Sequence, residues 1–213
     1  MSVRDELLKR VREALRDVPA TERPEDVHVE RSYRRTGAAG PDAAGLFAER
    51  VADYDATVSR ISRDALPGAL AERCRQRGAD RVAAPCDLPP EWRPAGVELV
   101  EDEALGNEAL DGLDGVLTGC ALAIAETGTI VLDCGERQGR RALTLVPDWH
   151  LCIVEESQVV ETVPQGVERL EQAVRDGRPI TFVSGPSATS DIELSRVAGV
   201  HGPRTLDVLL VSG

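Results

Sequence analysis

Apolar side chains recur along this chain in two alternating rhythms, and that alternation commits it to an α/β sheet, because each helix face and each buried strand must cover the other. In the first rhythm they fall every three or four positions, the period of a helix face. Leu7, Val11, Leu15 and Val18 follow a Ser2/Asp5 capping pair and stop before Pro19. Phe47, Val51, Tyr54, Val58 and Ile61 predict a second helix. A third starts near Asp64, with Pro67 in its first turn, and stops at Gly78. In the second rhythm short apolar runs are bounded by turn residues. Such runs occupy residues 81–85, 97–100, 115–118, 121–125 and 129–132. Residues 151–154 and 159–162 predict a hairpin around Glu155, Glu156 and Ser157. Thr162 and Gln165 cap a helix that carries Val167, Leu170 and Val174 and ends at Gly177. A strand at 180–184, a loop, a short helix and a last strand at 206–211 complete the pattern. The expected fold is α/β, a mostly parallel sheet flanked by helices. The polar stretch 19–45, rich in Pro and Gly, reads as a linker. Residues 1–45 therefore form an N-terminal helical arm, free to dock on a partner or a second copy, and 46–213 form the α/β domain.

Charge and cysteine spacing exclude several function classes. With 37 acidic against 25 basic side chains the formal net charge is −12. General nucleic-acid binding and an anionic membrane surface both want the opposite sign. Lys9 is the only lysine, so a P-loop or Schiff-base lysine would have to come from the first helix. Cys74, Cys86, Cys120, Cys134 and Cys152 are spread out, whereas zinc and iron–sulfur motifs cluster their thiolates. No Gly-x-Gly-x-x-Gly or Walker sequence occurs. No apolar run approaches the ~20 residues of a membrane span, and the charged start Arg4-Asp5-Glu6 is unlike a signal peptide. No cofactor is expected in the chain, and the expected location is the cytoplasm.

Three segments carry more polar groups and glycine than a fold needs. Glu126, Thr127, Gly128 and Thr129 set a carboxylate and two hydroxyls at a strand break, where plain turn chemistry serves equally well. Residues 184–191 lead from a strand through Ser187 and Thr189 to a helix start at Ser190 and Asp191, a natural seat for a small carboxylate or phosphate. A capping box of Ser190 and Glu193 explains part of that loop without a ligand. His201 lies between Gly199 and Gly202-Pro203, where it is either exposed for chemistry or part of a turn. Arg196 and Arg204 are close enough in sequence to clamp a carboxylate.

These segments, with Thr118-Gly119-Cys120 and Pro147-Asp148-Trp149-His150, resemble the lactate-utilization protein C (LUD-domain) family in order over roughly residues 115–211. Arg31-Ser32-Tyr33-Arg34 extends the likeness more loosely into the N-terminal half. The resemblance implies a fold related to ribose-5-phosphate isomerase, glucosamine-phosphate deaminase and CoA-transferases. It implies a part in oxidising L-lactate to pyruvate beside two partners, one cysteine-rich and one carrying iron–sulfur clusters. The expected role is a non-redox subunit holding a small anion near Glu126, Ser187, Thr189 and His201. A stand-alone enzyme acting on a phosphosugar, folate-like or acyl substrate, with Glu126 or Asp191 as base or nucleophile, and a purely structural assembly subunit remain the alternatives.

Overall fold

The computed structural model describes residues 2–19, 21–34, 36–37, 42–189, 197–198 and 201–213. Two compact units divide the chain, Met1–Tyr33 and Arg34–Gly213. The first holds α1 (Val3–Ala14), opened by a reciprocal cap. The Asp5 amide donates to Ser2 Oγ at 3.2 Å, and the Ser2 amide donates to Asp5 Oδ2 at 3.0 Å. Two of the orphan donors of the first turn are thereby satisfied.

The second unit runs through α2 (Ala43–Ala52), β1 (Thr57–Ser62), α3 (Leu66–Arg77), β2 (Arg81–Ala84), β3 (Glu98–Glu101) and α4 (Asn107–Asp111). It continues with β4 (Gly115–Thr118), β5 (Leu122–Ile124), β6 (Thr129–Leu132), β7 (Trp149–Glu155) and β8 (Val159–Val160). After α5 (Val163–Arg169) and α6 (Glu171–Arg175) come β9 (Thr181–Val183), β10 (Ala188–Thr189), β11 (Val197–Ala198) and β12 (Thr205–Ser212). The main sheet has the order β1-β12-β7-β4-β2-β3, and every pairing in it is parallel. A smaller mixed sheet, β8-β5-β6-β9, lies beside it.

Alternate residues of the central strands serve opposite cores. Cys152 and Val154 of β7, with Val208 and Leu210 of β12, pack with Phe47 and Val51 of α2 and with Ala123 and Ile130 of the small sheet. Leu151 and Ile153, with Leu209 and Val211, pack with Leu66 and Leu70 of α3. Burial on both faces is why β7 and β12 are continuous apolar runs and not alternating ones. The far side of the small sheet joins Leu122, Ile124 and Val131 to Leu170 at the end of α5.

Two expectations need correction. The helical stripe through Tyr54, Val58 and Ile61 breaks, because α2 ends at Ala52, Asp55 takes a left-handed φ of 64°, and residues 57–62 become an edge strand. The period continued across the break because Val58 and Ile61 have a burial role in either conformation. The runs at 151–154 and 159–162 do not pair with each other. β7 is already flanked by β4 and β12 and has no free edge, so a 3-10 turn at Glu156–Gln158 sends the chain to β8, beside β5. The short helix expected beyond 190 lies outside the described residues.

Candidate functional site

The larger of two prominent cavities among the described residues, about 720 Å³, opens where β7 and β12 begin. Its walls include Ser184, Ser187, His201 and Arg204, together with Arg141, Thr144 and His150. Two loops are stitched together at its rim. The Ser187 amide donates to the Pro203 carbonyl at 2.7 Å, and the His201 amide donates to Ser187 Oγ at 3.1 Å. Ser187 is therefore an organiser of the rim as well as a lining hydroxyl.

The Asp148-Trp149-His150 segment sends each side chain to a different partner. Asp148 accepts from Arg204 Nε at 2.9 Å and from Arg204 Nη2. That hydrogen-bonded guanidinium holds the Asp148 carboxyl below its ordinary pKa. The Trp149 indole N–H donates to Asp207 Oδ2 at 3.0 Å. The buried His150 ring meets Thr118 Oγ1 through Nε2 at 2.8 Å. The same Thr118 hydroxyl lies 2.8 Å from the Gly119 carbonyl. Beside this pair lies a buried thiol couple. The Cys120 thiol holds Cys152 below an ordinary thiol, against burial and with help from His150 and Thr118. Cys120 is pushed well above an ordinary thiol by its hydrogen bond to Cys152 and by burial. Spacing alone hides this couple, since only the parallel pairing of β4 with β7 sets Thr118 opposite Cys152.

Ser187, His201 and Arg204 thus share one cavity, with Arg204 already engaged by Asp148. Glu126, Thr127, Gly128 and Thr129 line neither cavity. They form the turn between β5 and β6, where Glu126 Oε1 accepts from Arg34 Nη2 at 2.6 Å. The turn still reaches the cavity wall by a hydroxyl chain, Thr127 to Thr129 at 2.7 Å and Thr129 to Ser184 at 2.7 Å. Asp191 and Arg196 lie outside the described residues. So does the side chain of Thr189, whose backbone pairs with Val197. Two lining residues carry no motif that could have singled them out. Arg141 donates Nη1 to Thr144 Oγ1 at 3.4 Å and forms no ion pair among the described residues. Arg77 is committed to Asp207. No group of three or more His, Cys, Asp or Glu side chains suited to a metal ion occurs among the described residues. Nor is any helix among them long and apolar enough to cross a membrane.

A parallel sheet covered on both faces, with a polar cavity among motif loops at the starts of its central strands, defines an α/β protein. The model of the LUD domain matches residues 47–211. Lactate utilization protein C of Deinococcus radiodurans is 52% identical over 166 residues, 78% of this chain and 77% of that protein. Lactate utilization protein C of Bacillus velezensis is 32% identical, covering 80% of this chain and 70% of that protein. The crystal structure of a DUF162 family protein from Deinococcus radiodurans superposes with a TM-score of 0.70 at 43% identity, covering 80% of this chain and 96% of that one. This chain belongs to the LUD-domain family.

Proposed function

We propose that this protein serves lactate utilization as a non-redox subunit that holds a small carboxylate in the cavity beside His150. The names of its relatives support the process, and one observation carries the ligand. Arg141 is a partly buried guanidinium in that cavity without an ion-pair partner among the described residues. Such a group is matched by one carboxylate in a two-point hydrogen bond. Thr144, Ser187 and His201 stand on the same walls to orient a neighbouring hydroxyl or keto oxygen. Net charge offers no general attraction for an anion, so recruitment falls to these local donors. Glu126 is held by Arg34, and Asp191 and Arg196 follow Ser187 in sequence. Oxidising a 2-hydroxy acid moves two electrons to an acceptor, a task for a cofactor. The proposal places that acceptor on an iron–sulfur partner, with a cysteine-rich protein completing the assembly.

The test is calorimetric binding of L-lactate and pyruvate to the purified chain, with Arg141→Gln as the variant. Binding weakened at least tenfold in the variant, with an unchanged melting temperature, is expected. No binding to the parent at millimolar ligand, or equal binding to both proteins, would refute the site.

A further inference from the structure

The second cavity, about 390 Å³, lies at the other end of the main sheet, where Gly119 and Cys120 follow β4. Open α/β sheets take ligands at the carboxyl ends of their parallel strands, and this is that end. The walls bring together the guanidiniums of Arg137, Arg169 and Arg178 against the carboxylates of Asp133 and Glu136. Three guanidiniums thus face one space in a chain of net charge −12.

The three arginines are unequally committed. Arg137 lies over the Trp92 ring, 5.3 Å from its centroid, with Nη1 3.8 Å from Glu155. Stacking fixes the plane of the guanidinium and leaves its edge for an anion. Arg178 gives Nη1 to Asp133 at 2.9 Å and sets its Nε 3.9 Å from Asp176 Oδ2. Arg169, the last residue of α5, forms no ion pair among the described residues. Asp133, by contrast, is satisfied. Its Oδ1 accepts from Gln138 Nε2 at 2.8 Å and from the Gly135 amide at 3.0 Å. Its Oδ2 faces Arg178, so its charge is already answered before a ligand arrives. The loop carrying these groups is tied down as well, by the Arg137 amide to Asp87 at 2.7 Å and by the Gly119 amide to the Arg137 carbonyl at 2.7 Å.

We propose that this cavity is a second ligand site that binds a small phosphate monoester, its phosphoryl oxygens held by the guanidiniums of Arg137, Arg169 and Arg178. One guanidinium suffices for a monocarboxylate, whereas a phosphoryl dianion with three terminal oxygens matches three converging donors. The volume falls at the small end of ligand pockets, which sets the size of the ester's organic part at a few carbons. The inference stands apart from the carboxylate reading of the other cavity, with which it shares no lining residue.

The experiment is isothermal titration of the full chain with glycerol 3-phosphate and with inorganic phosphate, using acetate as the monoanion control. Arg169→Gln and Arg137→Gln are expected to weaken glycerol 3-phosphate at least tenfold while Arg141→Gln leaves it unchanged. Arg169→Lys, which keeps the charge, guards against a folding defect and is expected to lose less. Binding of phosphate esters absent at millimolar concentration, acetate bound as tightly as the ester, or loss on Arg141→Gln in place of Arg169→Gln would each overturn the proposal.

Discussion

Arg77, at the end of α3, closes a two-point fork on Asp207, a carboxylate buried without exposure inside β12. Nε lies 3.0 Å from Oδ2 and Nη2 lies 2.8 Å from Oδ1. The Trp149 indole supplies a third donor at 3.0 Å. A charge placed mid-sheet is tolerated because each oxygen is matched, and the fork joins a helix to strands β7 and β12 in one contact.

Asp207→Asn keeps the shape, removes the charge and turns an NH2 group toward donors. It is expected to cost about 3 kcal/mol, since breaking one partner of a buried pair leaves the other uncompensated. Arg77→Lys keeps charge without the fork and is expected to cost less. Urea unfolding with an unchanged m-value is the measurement, and a loss under about 0.5 kcal/mol for Asp207→Asn, the scale of ordinary surface changes, would show the fork to be idle.

Thr118→Val removes the hydroxyl between His150 and the Gly119 carbonyl at constant volume. The buried imidazole nitrogen then has no hydrogen-bond partner in the hydroxyl's place, at an expected cost of about 1–3 kcal/mol. The ring nitrogen resonances of His150 should move in the same variant, and lactate binding should weaken if His150 shapes the cavity as proposed. Unmoved resonances would contradict the contact between the Thr118 hydroxyl and the ring.

Glycine is required at two turns for different reasons, and the variants separate them. Gly128 has φ +59°, and a Cβ there would stand 2.5 Å from the backbone of Arg50 and Val51 in α2. Gly177 has φ +68° with open space around it. Gly177→Ala is expected to cost about 1 kcal/mol from the left-handed backbone alone. Gly128→Ala adds a clash with a helix backbone that cannot step aside, and is expected to cost at least twice as much by thermal or urea unfolding. Equal losses would mean that α2 shifts freely.

The parallel sheet was legible because its strands are buried on both faces. Residues 115–118 of the main sheet are a mostly apolar run, as are 129–132 of the smaller one, and both form strands with those bounds. α3 was marked by Pro67 and Gly78 at its ends. Partner choice was not legible. The run at 159–162 follows 151–154 closely, yet it joins β5 because β7 is already paired on both edges, a fact of the whole sheet. In the candidate site the polar loops announced Ser187 and His201 by composition. Arg141, Arg169 and Arg178 look like surface arginines in sequence, and only the fold shows which of them turn toward a cavity. The Cys120–Cys152 couple was hidden for the same reason, being separated in sequence and joined across adjacent strands.

Asp102 supplies a pH test. Its carboxylate accepts from Arg140 Nε at 2.7 Å, from Arg140 Nη2 at 2.9 Å and from the Leu105 amide at 2.9 Å. Burial pushes its pKa up, but the Arg140 and backbone hydrogen bonds outweigh that, and the folded value lies below the ordinary one. The unfolded carboxyl, with a pKa of about 3.9, therefore takes up its proton first as pH falls. The contribution of Asp102 is complete above that value and disappears as pH drops through the lower folded value. Asp102→Asn is accordingly expected to be less stable than the parent at neutral pH and to converge on it below pH of about 3.9, in a series of urea melts. A stability gap that stays constant into acid would show that the loss comes from packing or neutral hydrogen bonds, with no share from the carboxylate charge.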